Sequence, residues 1–394
     1  MMHQLAEELH NRGNSVTLAT PSQSLRIPVE EDRSRGFRVV RFASGKFKNT
    51  GRVQRAINEL LFSWRLLRAL RRVRSLTAID LIVYYSPSIF WGPAVARLKK
   101  VWHCRSYLVL RDIFPQWCID SGILSRHSPI CKFFQFFERI NYRAADRIGV
   151  QSPGNLNYFR PHHKLDEKAE VLYNWFDCSA PQPPHRGYRE KLHLQGKVIF
   201  FYGGNIGGAQ DMMNIVRLAK NMRCHPEAHF LLVGAGDEFS LVEAKKREWQ
   251  LDNLTLHEQI TQEEYFSLLA EADVGMLTLH PGHKTQNFPG KLLGYMFCAK
   301  PILGSINPGN DTIGIINGAG AGLISVNPDD PGFQKNAEAL LDPARRAACG
   351  AKGKELLSKQ FSVSAAADRL IGFAAAYHAG APDTAGNGTA ETNC

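Results

Sequence analysis

The chain has 394 residues, 44% hydrophobic and 22% charged, a globular composition with room for two α/β domains of ordinary size. No apolar run reaches the roughly 18 residues of a membrane span, and the eight cysteines show neither C-x-x-C spacing nor a His-Cys cluster, which speaks against a zinc site or disulfide framework and for reduced thiols in a cytoplasmic protein. The net charge of +11 is uneven: residues 1–150 hold 25 Lys and Arg against 11 Asp and Glu, while the remainder hold 23 against 26, so only the first half is drawn to an anionic surface.

MMHQLAEELHNRG reads as an amphipathic helix with acidic residues, not as a signal peptide. Helix 2–12 then leads to strand NSVTLAT (14–20), strand RVVRF (38–42), a long helix (52–74) and strand DLIVYYS (80–86). Helix 91–100, strand RSYLVLRD (105–112), helix 129–145 and strand RIGVQS (147–152) follow. VLYNWFDCSAPQPPHRGY (171–188), with an Asn-Trp-Phe-Asp corner and three prolines, reads as an interdomain linker.

KVIFFYGGNIGG (197–208) is a strand ending in a glycine-rich turn, with a helical pattern after it through Met222, and HFLLVGAGDE (229–238) repeats the design. Thr261-Gln262-Glu263-Glu264 is a capping box that opens a helix to Ala272. Strand VGMLTL (274–279), the turn Phe288-Pro289-Gly290, a helix from Lys291 to about Ala299, a strand from Pro301 and strand AGLISV (321–326) complete the series. Short apolar strands alternating with helices imply parallel sheets covered on both faces, whose ligands bind at the carboxyl ends of the strands. The pattern divides into domains 1–173 and 174–360, a C-terminal helix 361–379, and a Gly, Ala and Thr-rich tail 380–394 expected to be disordered.

Three glycine loops and one aspartate carry the candidate chemistry. Gly203-Gly204-Asn205-Ile206-Gly207 is a tight turn between a strand and a helix, and Gly234-Ala235-Gly236 lacks the full dinucleotide fingerprint and its acidic ribose partner. With Pro289-Gly290-Lys291 they make three loops on one sheet edge, where backbone amides and a lysine suit an anion such as a nucleotide diphosphate. No Asp-x-Asp pair or His cluster is available there for a metal, so leaving-group charge falls to amides and Lys291. Asp112 ends strand RSYLVLRD just before Ile113-Phe114-Pro115; it either orients or deprotonates an acceptor hydroxyl or caps the following turn. His103, His257 and His283 have no partner visible in the sequence and read as structural.

LAEELHNRGNSVTLAT (5–20), RDIFPQW (111–117), VQSPGNL (150–156), LYNWFD (172–177), YGGNIGGAQ (202–210), LLVGAGDE (231–238) and KTQNFPGKLLGYMFCAKPILGSINPGND (284–311) together resemble the bacterial GT-B glycosyltransferases of family 4. The resemblance implies two Rossmann-like domains facing each other across a cleft, a first domain on the acceptor and membrane side, and a second that binds the donor. The last segment looks most like O-antigen and capsule transferases of N-acetyl-L-fucosamine. Implied by that likeness are a UDP-sugar donor, a polyprenyl-pyrophosphate-linked sugar acceptor, retention of configuration, no cofactor and no required metal. The donor site carried over comprises Gly204, Asn205, Gly207, Gln210, Gly234, Gly236, Gln259, Lys284, Gln286, Asn287, Phe288, Pro289, Gly290, Lys291 and Leu292, with Asp112 on the acceptor side.

Three departures accompany the resemblance. Asn205 and Gln210 stand where the family commonly has Arg and Lys, which leaves Lys291 or Lys284 to supply positive charge, and Gln286 and Gly294 stand where it has two glutamates. Family members also open with a strand and a glycine-rich loop before the helix that matches residues 2–12. The N-terminal sheet is therefore expected to lack a central strand, through a start assigned too late or a truncated gene product.

Along helix 52–74, Val53, Ile57, Leu60, Trp64, Leu67 and Leu70 form an apolar stripe, with Arg55, Arg65, Arg68, Arg71, Arg72 and Arg74 towards the other sides. An ordinary core-facing helix shows the same stripe, whereas the arginine density fits a helix that also touches anionic lipid. KFFQFFERINYR (132–143) extends that surface, and no recognition motif speaks for nucleic acid. The expected protein is a glycosyltransferase peripheral to the inner face of the cytoplasmic membrane. The rivals are a sugar-nucleotide epimerase of the same fold and a silent lipid-binding remnant.

Overall fold

The computed structural model describes residues 1–47, 50–73, 78–86, 88–120, 122–163, 167–282 and 288–378. Contacts group the chain into two units: Ala6–Pro115, Arg126–Ile148 and the residues from Ala366 form one, and Met1–Leu5, Gln116–Ser125 and Gly149–Ala365 the other. The tail expected at 380–394 lies outside the described residues.

In the first half, β1 (Thr17–Ser22), β2 (Val29–Asp32) and β3 (Arg38–Ala43) make a three-stranded sheet in the order β1-β3-β2. β4 (Leu81–Tyr85), β5 (Arg105–Val109), β6 (Arg147–Val150) and β7 (Ala169–Val171) make a separate four-stranded sheet in that order. β1 runs parallel to β3, and β4 parallel to β5. Tyr107, Leu108 and Val109 are fully buried, as an apolar strand covered on both faces must be.

β2 is antiparallel to β3 and has no counterpart among the expected strands. Its sequence, VEED, carries no apolar alternation to read. What holds it on the sheet edge, besides the ladder, is charge: Arg41 reaches Glu30 at 3.2 Å and Asp32 at 3.3 Å, and Arg38 reaches Glu31 at 3.8 Å. Charged side chains are also what keep an exposed edge from pairing with another chain.

The long helix expected over 52–74 is interrupted at Leu61, giving Arg52–Leu60 and Phe62–Leu70. The buried face is not the six-residue stripe. Phe62, Ser63, Leu66 and Ala69 point into the unit, where Phe62 stacks on Trp91 at 5.2 Å, while Val53, Ile57 and Trp64 are exposed by 74%, 54% and 56%. Arg65 turns inward to the carbonyl oxygen of Ser44 and to Asn58 Oδ1, so it does not belong to the exposed basic face. The C-terminal helix returns to this unit, where Phe373 lies under the guanidinium groups of Arg105 and Arg147 at 5.1 and 5.4 Å and Arg12 pairs with Asp368 at 2.5 Å.

The second unit is organised by a six-stranded sheet, β8 (Val198–Asn205), β9 (Ala228–Ala235), β10 (Leu254–His257), β11 (Val274–Thr278), β12 (Ile302–Ile306) and β13 (Gly322–Val326), in the order β10-β9-β8-β11-β12-β13. Every neighbouring pair is parallel. Along β8, Ile199 and Phe201 enter one apolar layer with Leu277, Leu292 and Phe361, while Phe200 and Tyr202 enter the opposite layer with Ile215, Phe230 and Phe333. The Thr261 capping box is formed, and the short edge strand β10 is an addition to the expected set. The aromatic part of the segment read as a linker is instead embedded in this unit. Trp175 is buried and donates from Nε1 to the Met1 carbonyl at 3.1 Å, and Tyr173 packs on Phe361 at 4.7 Å.

Two of the glycine loops are stitched together. Ile206 N donates to Ala235 O at 2.9 Å and Glu238 N to Ile206 O at 3.0 Å. A Cβ at Gly234 would collide with the Gly204 carbonyl oxygen and one at Gly236 with that of Ile206, whereas Gly290, in helical conformation, has open space around it. Gly234→Ala should therefore lower stability by about 1–3 kcal/mol in urea unfolding, as overpacking does, while Gly290→Ala should stay within about 0.5 kcal/mol of the parent. Equal midpoints for the two variants would show that the β8 and β9 loops yield freely.

Candidate functional site

At its carboxyl end β8 runs from Tyr202, which faces the apolar layer, through Gly203 and Gly204 to Asn205. Gly204 has φ +139°, a conformation that side-chain-bearing residues rarely adopt, and a Cβ there would stand 3.4 Å from Lys291 Nζ. The glycine thus brings bare backbone close to the lysine. Tyr202 donates its hydroxyl to the Asn205 carbonyl at 2.6 Å, and Asn205 donates from Nδ2 to Gln210 Oε1 at 2.6 Å. The next strand over, β9, places Gly234 and Gly236 at the same edge.

Lys291 begins the helix Lys291–Phe297. That helix has only seven residues, so the positive character of this corner rests on the lysine itself more than on the helix terminus. Nζ lies 3.6 Å above the centroid of the Tyr202 ring. Although the residue as a whole keeps some solvent exposure, its amine is surrounded by protein, and burial brings its pKa down to about 7. The arrangement is a partly neutral amine held on an aromatic face beside bare backbone, suited to an anion that restores its charge.

Gly204, Asn205, Gly207, Gln210 and Lys291 are brought together in this corner by the contacts described above and by the approach of Gly207 to Asn205. Gly234 and Gly236 border it, but the packing of the β8 loop already accounts for them. Pro289 and Gly290 form the turn that closes on Leu292 and Leu293 through bonds of 3.1 and 3.3 Å. Phe288 and Leu292, expected to touch the donor, are core residues. Phe288 is stacked on Phe361 at 4.8 Å, and Leu292 is wholly excluded from solvent in the apolar layer. Gln259 is exposed in the segment after β10. Lys284, Gln286 and Asn287, together with His283, lie outside the described residues.

Tyr202 is the residue that sequence reasoning missed. Its position in an alternating apolar strand made it indistinguishable from Phe200, and only the return of the chain at Lys291, 89 residues later, puts a charge over it. Among the described residues no group of His, Cys, Asp and Glu is placed to hold a metal ion.

Asp112 belongs to the other unit and follows β5. Its carbonyl accepts from Ser86 Oγ at 3.3 Å. The residue is open to solvent on one side, yet its carboxyl is crowded enough that desolvation raises its pKa, with Arg111 opposing the shift. Arg111 is itself buried, and desolvation brings it down to about 10. A carboxylate biased towards holding a proton suits exchange with a hydroxyl.

The chain matches two family models in sequence order, "Glycosyltransferase Family 4" over residues 1–180 and "Glycosyl transferases group 1" over residues 196–342. It is 25% identical over 232 residues to the probable glycosyltransferase WbjE of Pseudomonas aeruginosa, covering 57% of this chain and 56% of that one. It is 23% identical over 220 residues to the putative colanic acid biosynthesis glycosyl transferase WcaI of Escherichia coli (strain K12), covering 54% of each. The chain thus spans about half the length of the curated relatives it matches. The fold is shared with Anabaena HepE, solved in complex with UDP and glucose, at a TM-score of 0.66 and 13% identity, over 95% of this chain and 94% of that one. Each half of the chain is thus matched by its own glycosyltransferase family model, family 4 for the first and group 1 for the second, on the GT-B fold shared with its structural neighbours.

Proposed function

We propose that the chain transfers a sugar, N-acetyl-L-fucosamine or a related amino sugar, from its UDP donor to a polyprenyl-pyrophosphate-linked acceptor during assembly of an O-antigen or capsule polysaccharide, with retention of configuration. The observation that carries this reading is the dry amine of Lys291 held over Tyr202 beside Gly204 at the carboxyl edge of the six-stranded sheet. Support comes from the UDP bound by HepE, which shares the fold, and from the polysaccharide named for WcaI. In this reading Lys291 meets the diphosphate, the Gly203-Gly204-Asn205 backbone lies along it, and Asp112 orients or deprotonates the acceptor hydroxyl.

Lys291→Ala should leave the fold intact and weaken UDP binding by about 1.5–3 kcal/mol, the value of a charge-assisted hydrogen bond, or about 10–100-fold in Kd. Calorimetry reads it directly, and an unchanged affinity would remove Lys291 from the donor site. Asp112→Asn should lower turnover by about 100-fold or more, as loss of a general base does, with UDP affinity little changed. The reverse pattern would take Asp112 off the acceptor side.

The acceptor reading brings a membrane partner with it. Trp64, Arg68, Arg71 and Arg72 are all exposed on one side of the helix region that starts at Phe62, and the Arg68 guanidinium stacks over Trp64 at 5.3 Å. Val53 and Ile57 on the preceding helix, and Ile130 and Phe136 on helix Pro129–Ala144, are also exposed. Apolar side chains interleaved with arginines complement an anionic lipid surface. Replacing Arg68, Arg71 and Arg72 together by Gln should reduce binding to anionic vesicles at low salt, each charge being worth about 1 kcal/mol near such a surface. Equal sedimentation of variant and parent with the vesicles would show that this face has another use.

A further inference from the structure

The place of Lys291 Nζ, 3.6 Å above the Tyr202 ring, is chemically unusual for a lysine. The ring is fully buried and its hydroxyl is committed to Asn205 O, so only its π face is offered to the amine. That face favours the ammonium form electrostatically but provides no acceptor lone pair. Burial alone sets the amine's pKa near 7, with no carboxylate among the described residues drawing it back up.

Among the described residues, no titratable group on the surrounding elements offsets the burial of the Lys291 amine, although the charge of Glu238 acts on the Tyr202 hydroxyl. Tyr202 on β8, Tyr265 on helix Gln262–Glu271 and Tyr295 on the lysine's own helix all have their hydroxyls raised by burial, and so stay neutral. Tyr295 donates to the Met276 carbonyl at 2.9 Å. Beyond β9, Glu238 accepts from Met212 N at 3.2 Å, and Asp237 lies against Gly207. Among the described residues no carboxylate neutralises the Lys291 amine, and an anion brought beside it would favour its charged form.

We infer that Lys291 and Tyr202 form a proton-linked anchor for a nucleoside diphosphate, in which the ring positions the amine and the arriving anion draws a proton from solvent onto it. The inference rests on the reading of this corner as the donor site and adds two things to it: Tyr202 as a positioning residue, and a proton as a co-ligand. Below the free amine's pKa the charge is already present. Above it, each binding event must take up a proton, so affinity falls as pH rises until the pKa of the complex is reached.

Calorimetric titration of the full chain with UDP at pH 8, in buffers of different ionisation enthalpy, tests this. UDP is itself almost fully ionised there, because a terminal phosphate has its second pKa near about 6. The parent should take up roughly 0.9 proton per UDP, and its Kd should rise about fivefold between pH 7 and pH 8, as follows from a free pKa near 7. Lys291→Arg, always charged, should bind UDP with no proton uptake and with a flat profile over that range. Tyr202→Phe, which keeps the face, should behave as the parent, and Tyr202→Leu should bind UDP at least tenfold more weakly. UDP binding by the parent without proton uptake would overturn the proton-linked anchor and leave the donor-site reading standing. Parental affinity in Tyr202→Leu would remove the positioning role, and no UDP binding by the parent at any pH would overturn both readings. If Tyr202→Leu fails to fold, the comparison of Lys291→Arg with the parent still decides the proton linkage.

Discussion

A parallel sheet buried on both faces can present polar chemistry only at its edge, and the rest of the C-terminal unit follows from this constraint. Phe200, Phe201, Phe230, Leu231, Val274 and Ile302 are wholly removed from solvent, so the middle of the sheet is filled with apolar side chains. Burial of each such side chain contributes about 1.5–3 kcal/mol, and a polar group among them would forfeit that and add its own desolvation cost. The chain can afford glycines and polar side chains where β8, β9 and β11 end. Gly204, Asn205 and Lys291 lie there.

The same constraint explains the state of Lys291. Leu292, Leu293, Tyr295 and Met296 lock the helix into the apolar layer and fix its first residue at the rim of the core. The amine does not reach bulk water fully, and no carboxylate among the described residues draws its pKa back up. Leaving a buried cation unpaired costs several kcal/mol, and a desolvated cation–π contact returns about 2 kcal/mol. The remaining cost appears as a lowered pKa, which is the form in which an amine relieves such a penalty. The β8 and β9 loops enforce the geometry from the other side, because their backbones touch at Gly234 and Gly236 and leave Gly204 no freedom to retreat.

In the other unit, electrostatics and exposure do work that hydrophobic burial does elsewhere. β2 joins its sheet through ladder bonds and solvent-exposed cross-strand ion pairs, which contribute little at a surface, and so it marks an edge more than it builds a core. The helices around Leu61 divide their apolar residues between two faces. Phe62, Leu66 and Ala69 close the core against Trp91 and Ala94, while Val53, Ile57 and Trp64 remain outside among arginines. A single helix face cannot bury both sets, and Trp64 stands outside on the same helix whose other side carries Phe62, Leu66 and Ala69 inward.

The sequence by itself determined the α/β alternation, the parallel C-terminal sheet, the capping box at Thr261 and the loops at the sheet's carboxyl edge. Each of these is written in local periodicity or in short-range hydrogen bonding. It could not reveal β2, because a four-residue edge strand of sequence VEED, held by ladder bonds and ion pairs, leaves no apolar rhythm, and in β10 the alternation of Leu254 and Leu256 is too short to stand out. It placed Phe288 and Leu292 at the ligand because they flank Lys291 in the chain, whereas their side chains turn into the core while the lysine stays at the rim. Tertiary structure alone decided which glycines serve chain packing, that Arg65 turns inward, and that Tyr202 lies beneath Lys291. Those are contacts between segments tens of residues apart, and nothing local in the chain encodes the distance at which a ring and an amine will meet.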